Sequence, residues 1–180
     1  MSEPIVIKHP LIQDKFALLR NKNTDSGNFR HLLAEISQLI GYEATKNLET
    51  YETDIETPLN ITVKCNMVKS KSVALVSVLR AGNGMLEGML KLIPNAQVGH
   101  IGLYRDPRSY SVIEYYFKMP ADMENKHVII MDPMIATGNS AVAAVARIKE
   151  TNPKSLIFIC AVASPEGVAY FRSCHPEVTI

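Results

Sequence analysis

Apolar positions recur along this chain with two alternating periods, one helical and one extended. From Asn28 to Leu48, the residues Phe29, Leu32, Leu33, Ile36, Leu39 and Ile40 fall at three- and four-residue steps behind the capping candidates Asp25 and Ser26, which predicts an amphipathic helix. The stretch LIQDKFALLR (11–20) predicts a shorter helix before it. ITVKCNM (61–67) alternates apolar and polar side chains, the pattern of an edge or hairpin strand with one wet face. SVALVSVL (72–79) is almost continuously apolar or small, as a strand must be when both of its faces are covered. A helix over Gly84–Ile93, a strand over Val98–Tyr104, a polar and aromatic excursion over Arg105–Pro120 and a further buried strand over His127–Met131 follow. The pattern then gives a helix over Ser140–Glu150, a strand over Ser155–Val162 and a helix over Glu166–Cys174. Buried strands separated by single helices predict βαβ units, right-handed crossovers and a mainly parallel central sheet in an α/β fold. No repeat, low-complexity tract or interdomain linker interrupts the alternation, so a single domain over 1–180 is expected.

In such a sheet, ligands bind beyond the carboxyl ends of the strands. Three ends carry chemistry. The first is VLRAGNGM (78–85), with Arg80; the second is GLYRDP (102–107), with Arg105; the third is VIIMDPMIATGNS (128–140). In the third, a buried strand runs into Asp132, and a turn of small residues leads into an alanine-rich helix. Such a turn converges backbone N–H groups and a helix N-terminus on one point, which favours an anion. Thr137 and Ser140 add hydroxyl donors, Gly138 allows close approach, and the Asp132 carboxylate is placed to accept from ribose hydroxyls. A tight strand-to-helix turn capped by Ser140 explains the same residues without a ligand. A P-loop is excluded because no lysine follows the glycine. Gly82, Gly84 and Gly88, with Asp106 further on, come near a dinucleotide fingerprint, but Glu87 stands where that pattern needs glycine. Two arginines at neighbouring strand ends suit the oxygens of a pyrophosphate instead, because guanidinium groups bind them in forks; a surface ion pair is the alternative for each.

Composition narrows the field. With 19 basic and 18 acidic side chains, and a formal charge of +1, nothing asks for nucleic acid or an anionic membrane as partner. The start, MSEPIVIKHP, lacks the features of a signal peptide, and no apolar run approaches a bilayer span, so a soluble cytoplasmic protein is expected. Cys65, Cys160 and Cys174 are odd in number and far apart, with no metal-like spacing to the histidines, so they are expected to be reduced and no metal site is proposed from side chains alone.

The stretch MDPMIATGNS (131–140) closely resembles the phosphoribosyl-pyrophosphate (PRPP) motif of type I phosphoribosyltransferases. Its Asp132-Pro133 pair, in place of two consecutive acids, resembles the uracil phosphoribosyltransferase branch. HPLIQDKFALLRNKNTDSGNFRHLLAEISQLIGYEAT (9–45), VLRAGNGM, IGLYRDP and ASPEGVAYFRSCHPEV (163–178) agree in order with that family over nearly the whole chain. The resemblance implies a type I phosphoribosyltransferase-like fold, with N-terminal helices and a β-arm insertion over about 105–120, where Tyr110, Tyr115, Tyr116 and Phe117 stand. It implies transfer of 5-phosphoribosyl from PRPP to N1 of uracil, giving UMP and pyrophosphate, with Mg²⁺ carried on PRPP. By position, Arg80 and Arg105 would hold pyrophosphate and Asp132 the ribose. The run Pro133, Met134, Ile135, Ala136, Thr137, Gly138, Asn139 and Ser140 would form the PRPP loop, its last four residues around the 5′-phosphate. A homodimer or homotetramer and a GTP effector are implied as well.

The chain departs from the family pattern at a few places. Asn139 stands where a second glycine is usual, and asparagine tolerates left-handed backbone angles better than most residues, so the turn is expected to survive with some crowding. Asn83 and Pro107 replace an apolar and a polar residue. The strand beginning near Val178 stops at Ile180, before the glycine-rich segment that reads uracil in the family. Two further readings stand beside the transferase: a catalytically impaired PRPP-binding homologue, and an NAD-dependent enzyme built on the Gly82 region.

Overall fold

Helix α1 (Pro10–Leu19) starts where proline occupies the first turn and the His9 ring accepts a hydrogen bond from the Leu11 N–H. A computed structural model describes residues 3–108 and 111–180. Helix α2 (Ser26–Ala44) opens on Asp25, whose carboxylate accepts from the N–H groups of Gly27 and Asn28 at 2.8 and 2.9 Å. It ends at Ala44, earlier than the apolar spacing predicts, with the Thr45 N–H and hydroxyl both donating to the Gly41 carbonyl at 3.0 and 2.7 Å.

An unpredicted strand comes next. β1 (Thr50–Glu56) pairs antiparallel with β2 (Thr62–Val68) in a two-stranded hairpin separate from the main sheet. The register sets Tyr51 against Met67 and Ile55 against Val63, so these four share one face of the ribbon.

The main sheet is built on β3 (Val73–Leu79), buried from Val73 to Val78. Helix α3 (Asn83–Leu92) leads to β4 (Gln97–Arg105), and β5 (Val112–Lys118) turns back antiparallel along it. After β6 (His127–Met131) come a two-residue strand β7 (Met134–Ile135), helix α4 (Asn139–Lys149) and β8 (Ser155–Ile159). A two-residue β9 (Val162–Ala163) and helix α5 (Pro165–Cys174) follow. The five strands lie in the order β5-β4-β3-β6-β8, parallel except for β5. Beyond α5, Thr179 makes a parallel bridge to Ile157, and the Ile5 N–H donates to the Ile180 carbonyl at 2.8 Å.

The continuous apolar character of β3 and β6 has a simple cause. Successive side chains point to opposite faces of a sheet, and both faces are covered. Ala74, Val76, Val128 and Ile130 pack with Ala144 and Ile148 of α4 and Phe171 of α5. Val73, Leu75, Ile129 and Met131 pack with Met85 and Met89 of α3 and Leu33 of α2.

One expectation changes here. The predicted strand Ser155–Val162 is broken at Cys160, because the N–H groups of Ala161 and Val162 both donate to the Pro133 carbonyl and draw the chain to β7. The 105–120 excursion folds back as β5 onto its own sheet, with Phe117 under the Arg147 guanidinium at 4.0 Å and Arg147 Nε donating to Glu114 at 3.0 Å. Tyr110 lies outside the described residues. Pro107 sits in the connecting turn, where the Asp106 carboxylate accepts from the Arg108 N–H at 2.8 Å and the Asp106 N–H donates to the Ser111 carbonyl at 2.9 Å.

Candidate functional site

From β3 the chain crosses to β4 on one side, and later to β6 on the other, so the strand order reverses between β3 and β6. A crevice opens at such a switch point, beyond the carboxyl ends of the strands. Leu79 is level with Gly102, and Ser77 with Met131, so Arg80 and Asp132 are the first residues past the ends of neighbouring strands. Arg105 closes β4 three residues beyond Gly102. With strands about 4.8 Å apart, all three ends line one edge of the sheet. The structure therefore brings the sequence-predicted residues together.

The β3 end is a tight turn. The Leu79–Arg80 peptide bond is cis, and the Gly82 N–H donates to the Val78 carbonyl at 2.8 Å. A Cβ on Gly82 would lie 2.5 Å from the Met131 carbonyl oxygen, so glycine is what lets this turn press against the end of β6. A Cβ on Gly88 would lie 2.0 Å from the Ala34 carbonyl oxygen of α2, and one on Gly84 2.8 Å from Leu33. These glycines serve the packing of β3 and α3 against β6 and α2. The dinucleotide-fingerprint reading is withdrawn on that ground. Arg80 is exposed and has no acidic partner among the described residues, which leaves its guanidinium facing solvent. Asn83, unexplained in the sequence, accepts from the hydroxyl of the fully buried Ser77 at 2.8 Å and satisfies it.

At the β6 end, Asp132 is partly buried, and its N–H donates to the Ile159 carbonyl at 3.3 Å. Burial pushes its carboxyl up from 3.8 to about 6, against the opposing effect of a hydrogen bond from the Met134 N–H. Cys160 lies close by, and burial together with the Asp132 charge raises its thiol to about 12, so it is an inert thiol at neutral pH.

Helix α4 begins differently from the expectation. Gly138 is its cap, at φ +84°, and no side chain caps the first turn. Ser140 is therefore inside the helix rather than its capping residue. Asn139 is also helical, and the left-handed backbone falls on Gly138. The Asn139 side-chain amide instead donates to the Thr137 hydroxyl at 3.2 Å. The first helical bond runs from the Val142 N–H to the Gly138 carbonyl at 2.8 Å, so the N–H groups of Asn139, Ser140 and Ala141 precede it. Exposed Thr137 and Ser140 hydroxyls flank this turn. Such an uncapped helix N-terminus is able to hold an anion, next to a carboxylate that can accept from hydroxyl groups.

Sequence reasoning missed Ser164 and Gly167. The Ser164 hydroxyl donates to the Ala136 carbonyl at 2.5 Å, and Gly167 packs against the same carbonyl. The Ser-Pro-Glu order signals the start of a helix, but nothing local reveals its contact 28 residues away. On the far side of the 160–164 segment, a cavity of about 440 Å³ is walled by Ile5, Ile12, Phe16, Ile36, Phe158 and Val168, and none of its lining residues is charged.

Comparison with known proteins agrees with this geometry. A family model described as uracil phosphoribosyltransferase matches residues 6–180. A uracil phosphoribosyltransferase of Variovorax paradoxus is 51% identical over 180 residues, covering all of this chain and 86% of that protein. One from Legionella pneumophila is 51% identical over 175 residues, covering 97% of this chain and 81% of that protein. Among solved structures, the AQ2163 protein of Aquifex aeolicus superposes with a TM-score of 0.93 at 31% identity, over 99% of this chain and 85% of that one. A hypoxanthine-guanine phosphoribosyltransferase of Bacillus anthracis shares the fold at 14% identity, with a TM-score of 0.54 over 76% of this chain and 69% of that one.

Proposed function

The chain belongs to the uracil phosphoribosyltransferase family, and from that premise we propose that it transfers the 5-phosphoribosyl group of PRPP to N1 of uracil, giving UMP and pyrophosphate. It is a pentosyltransferase by this reading. The observation that carries it is the uncapped N-terminus of α4 beside Asp132, at the sheet's switch point. The N–H groups of residues 137–141 and the hydroxyls of Thr137 and Ser140 take the 5′-phosphate. Asp132 accepts from the ribose hydroxyls, and its single negative charge keeps a second phosphate out of that position. Arg80 and Arg105, at the adjoining strand ends, hold the pyrophosphate, and Pro133 to Ala136 form the floor between them.

The chemistry asks little else of the protein. As the bond from the anomeric carbon to pyrophosphate lengthens, positive charge develops on the ribose and negative charge on the leaving oxygens. Guanidinium groups fixed before the reaction stabilise that separation without reorganising, and the phosphate cradle holds the ribose in line with the incoming base. The uracil N1 forms the new bond to that carbon as the carbon–oxygen bond to pyrophosphate breaks, and the N1 proton passes to the departing pyrophosphate or to water.

No group of three or more His, Cys, Asp or Glu side chains able to hold a metal occurs among the described residues. Mg²⁺ enters this proposal as part of the PRPP complex, with Asp132 as the nearby carboxylate, where it would neutralise pyrophosphate oxygens. Self-association as a dimer or tetramer and GTP activation belong to the same proposal. Among the described residues no helix is long and apolar enough to cross a membrane.

The test is incubation of the chain with uracil, PRPP and Mg²⁺, followed by separation of UMP from uracil. Formation of UMP with release of one pyrophosphate is expected. PRPP binding without UMP would overturn the transferase and leave a phosphoribosyl-binding protein, whereas absence of PRPP binding would overturn the site itself.

A further inference from the structure

The loop that forms the phosphate cradle carries one two-residue strand, β7, and its carbonyls are held one after another by the segment that follows β8. The Pro133 carbonyl accepts from the N–H groups of Ala161 and Val162 at 3.0 and 3.1 Å, and the Ile135 carbonyl accepts from the Ser164 N–H at 2.8 Å. The Ala136 carbonyl accepts from the Ser164 hydroxyl at 2.5 Å, and in that row of contacts it is the one made by a side chain. The same hydroxyl accepts from the Gly167 N–H at 2.9 Å and so caps α5. A single hydroxyl thus acts as acceptor for one helix and donor to the loop.

Peptide geometry gives this contact a consequence. In a planar trans peptide the C=O and the following N–H point in opposite directions. Leu79–Arg80 is the one cis bond among the described residues, so the 135–136 and 136–137 peptides are trans. Drawing the Ile135 and Ala136 carbonyls toward Ser164 turns the N–H groups of Ala136 and Thr137 the other way. The Thr137 N–H heads the turn whose amides converge on the anion. Close packing holds the arrangement: a Cβ on Gly167 would lie 2.2 Å from the Ala136 carbonyl oxygen, and one on Gly138 2.8 Å from the Gly167 carbonyl oxygen.

We propose that Ser164 is a positioning residue for phosphate binding, orienting the backbone donors of the 136–138 turn through the Ala136 carbonyl. The inference rests on the assignment of Thr137 to Ser140 as the 5′-phosphate cradle. Its role is separable from the helix cap by chemistry. Aspartate at 164 keeps an acceptor for the Gly167 N–H and has no proton to donate to Ala136; threonine keeps both.

Three variants, Ser164→Ala, Ser164→Asp and Ser164→Thr, test it. The KM for PRPP is expected to rise about fivefold in the alanine and aspartate variants, with kcat and the KM for uracil unchanged, and to return to the parent value with threonine. Amide exchange in the ligand-free protein supplies a second readout, at the Val162 and Ser164 N–H groups that hold Pro133 and Ile135. It should quicken in the alanine and aspartate variants, while α5 exchanges normally in the aspartate variant. An aspartate variant with the parent KM for PRPP and parent exchange at Val162 and Ser164 would overturn the proposal. If the parent chain fails to bind PRPP, the assignment of the cradle falls, and the exchange rates alone still decide whether Ser164 orders the turn.

Discussion

The Met131 carbonyl oxygen at the end of β6 sits where a Cβ on Gly82 would come within 2.5 Å of it. The Val78 carbonyl oxygen and nitrogen would lie 2.7 and 2.8 Å from the same atom, so all three obstacles are backbone and cannot swing aside. Gly82→Ala must therefore separate the Arg80 turn from β6. We expect a loss of about 1–3 kcal/mol of stability in urea denaturation, with weaker PRPP binding as Arg80 moves. A variant as stable as the parent would show that the turn has room to shift and that Gly82 has another purpose.

Ser77 and Asn83 form a pair whose two halves are unequal. Ser77 is fully buried, while Asn83 is exposed and can turn to water. Asn83→Ala leaves a buried hydroxyl without its partner and is expected to cost about 1–2 kcal/mol. Ser77→Ala leaves only a solvated amide and should be nearly neutral, and the double variant should match Ser77→Ala. A double-mutant cycle by thermal or urea denaturation checks this. Equal costs for the two single changes would mean the hydrogen bond is not what holds the turn.

Arg80 is exposed and without an acidic partner among the described residues, so its removal should leave the fold intact. Arg80→Ala is expected to weaken inhibition by free pyrophosphate about 10- to 100-fold, with an unchanged melting temperature. Arg80→Lys should recover the charge but not the forked contact, and restore only part of the loss. Unaltered pyrophosphate inhibition in both variants would remove Arg80 from the site.

The parts legible in the sequence are those set by local pattern. Continuous apolar runs identified β3 and β6, and the order of small residues after Asp132 marked the turn that leads into α4. What escaped was set by contacts between distant segments. β1 alternates Tyr51, Thr53 and Ile55 with acidic neighbours, and its apolar face is visible only once the register lays it against Val63, Cys65 and Met67. The pairing of β7 with β9 rests on two residues in each strand, too few to leave a periodic signal. The glycines of 82–88 were ambiguous because a glycine that admits a phosphate and one that admits a neighbouring carbonyl look the same in sequence. At 138–139 the sequence left open which residue takes the left-handed backbone, since asparagine and glycine both tolerate it; the helix start places it on Gly138.

Asp132 gives a prediction in which stability and binding move in opposite directions. Burial raises its carboxyl from 3.8 to about 6 in the folded chain. Between those values the folded state holds a proton that the unfolded state has lost, so stability falls as pH rises through that window. Below about pH 4 both states are protonated and there is no difference; above about pH 6 the folded state bears a charge that burial disfavours, at a cost of up to about 3 kcal/mol. Asp132→Asn stays neutral throughout. The variant should therefore be more stable than the parent at pH 8, and the advantage should vanish near pH 4. Binding should run the other way, because a carboxylate accepts from ribose hydroxyls more strongly than an amide oxygen does. Parent PRPP affinity is expected to fall as pH drops from 7 to 5, more steeply than that of the asparagine variant, which retains only the titration of PRPP itself. Urea denaturation and equilibrium PRPP binding at pH 4, 6 and 8 measure both. Parallel pH profiles for parent and variant would place the ribose contact elsewhere, and a variant no more stable at pH 8 would show that water already reaches this carboxylate.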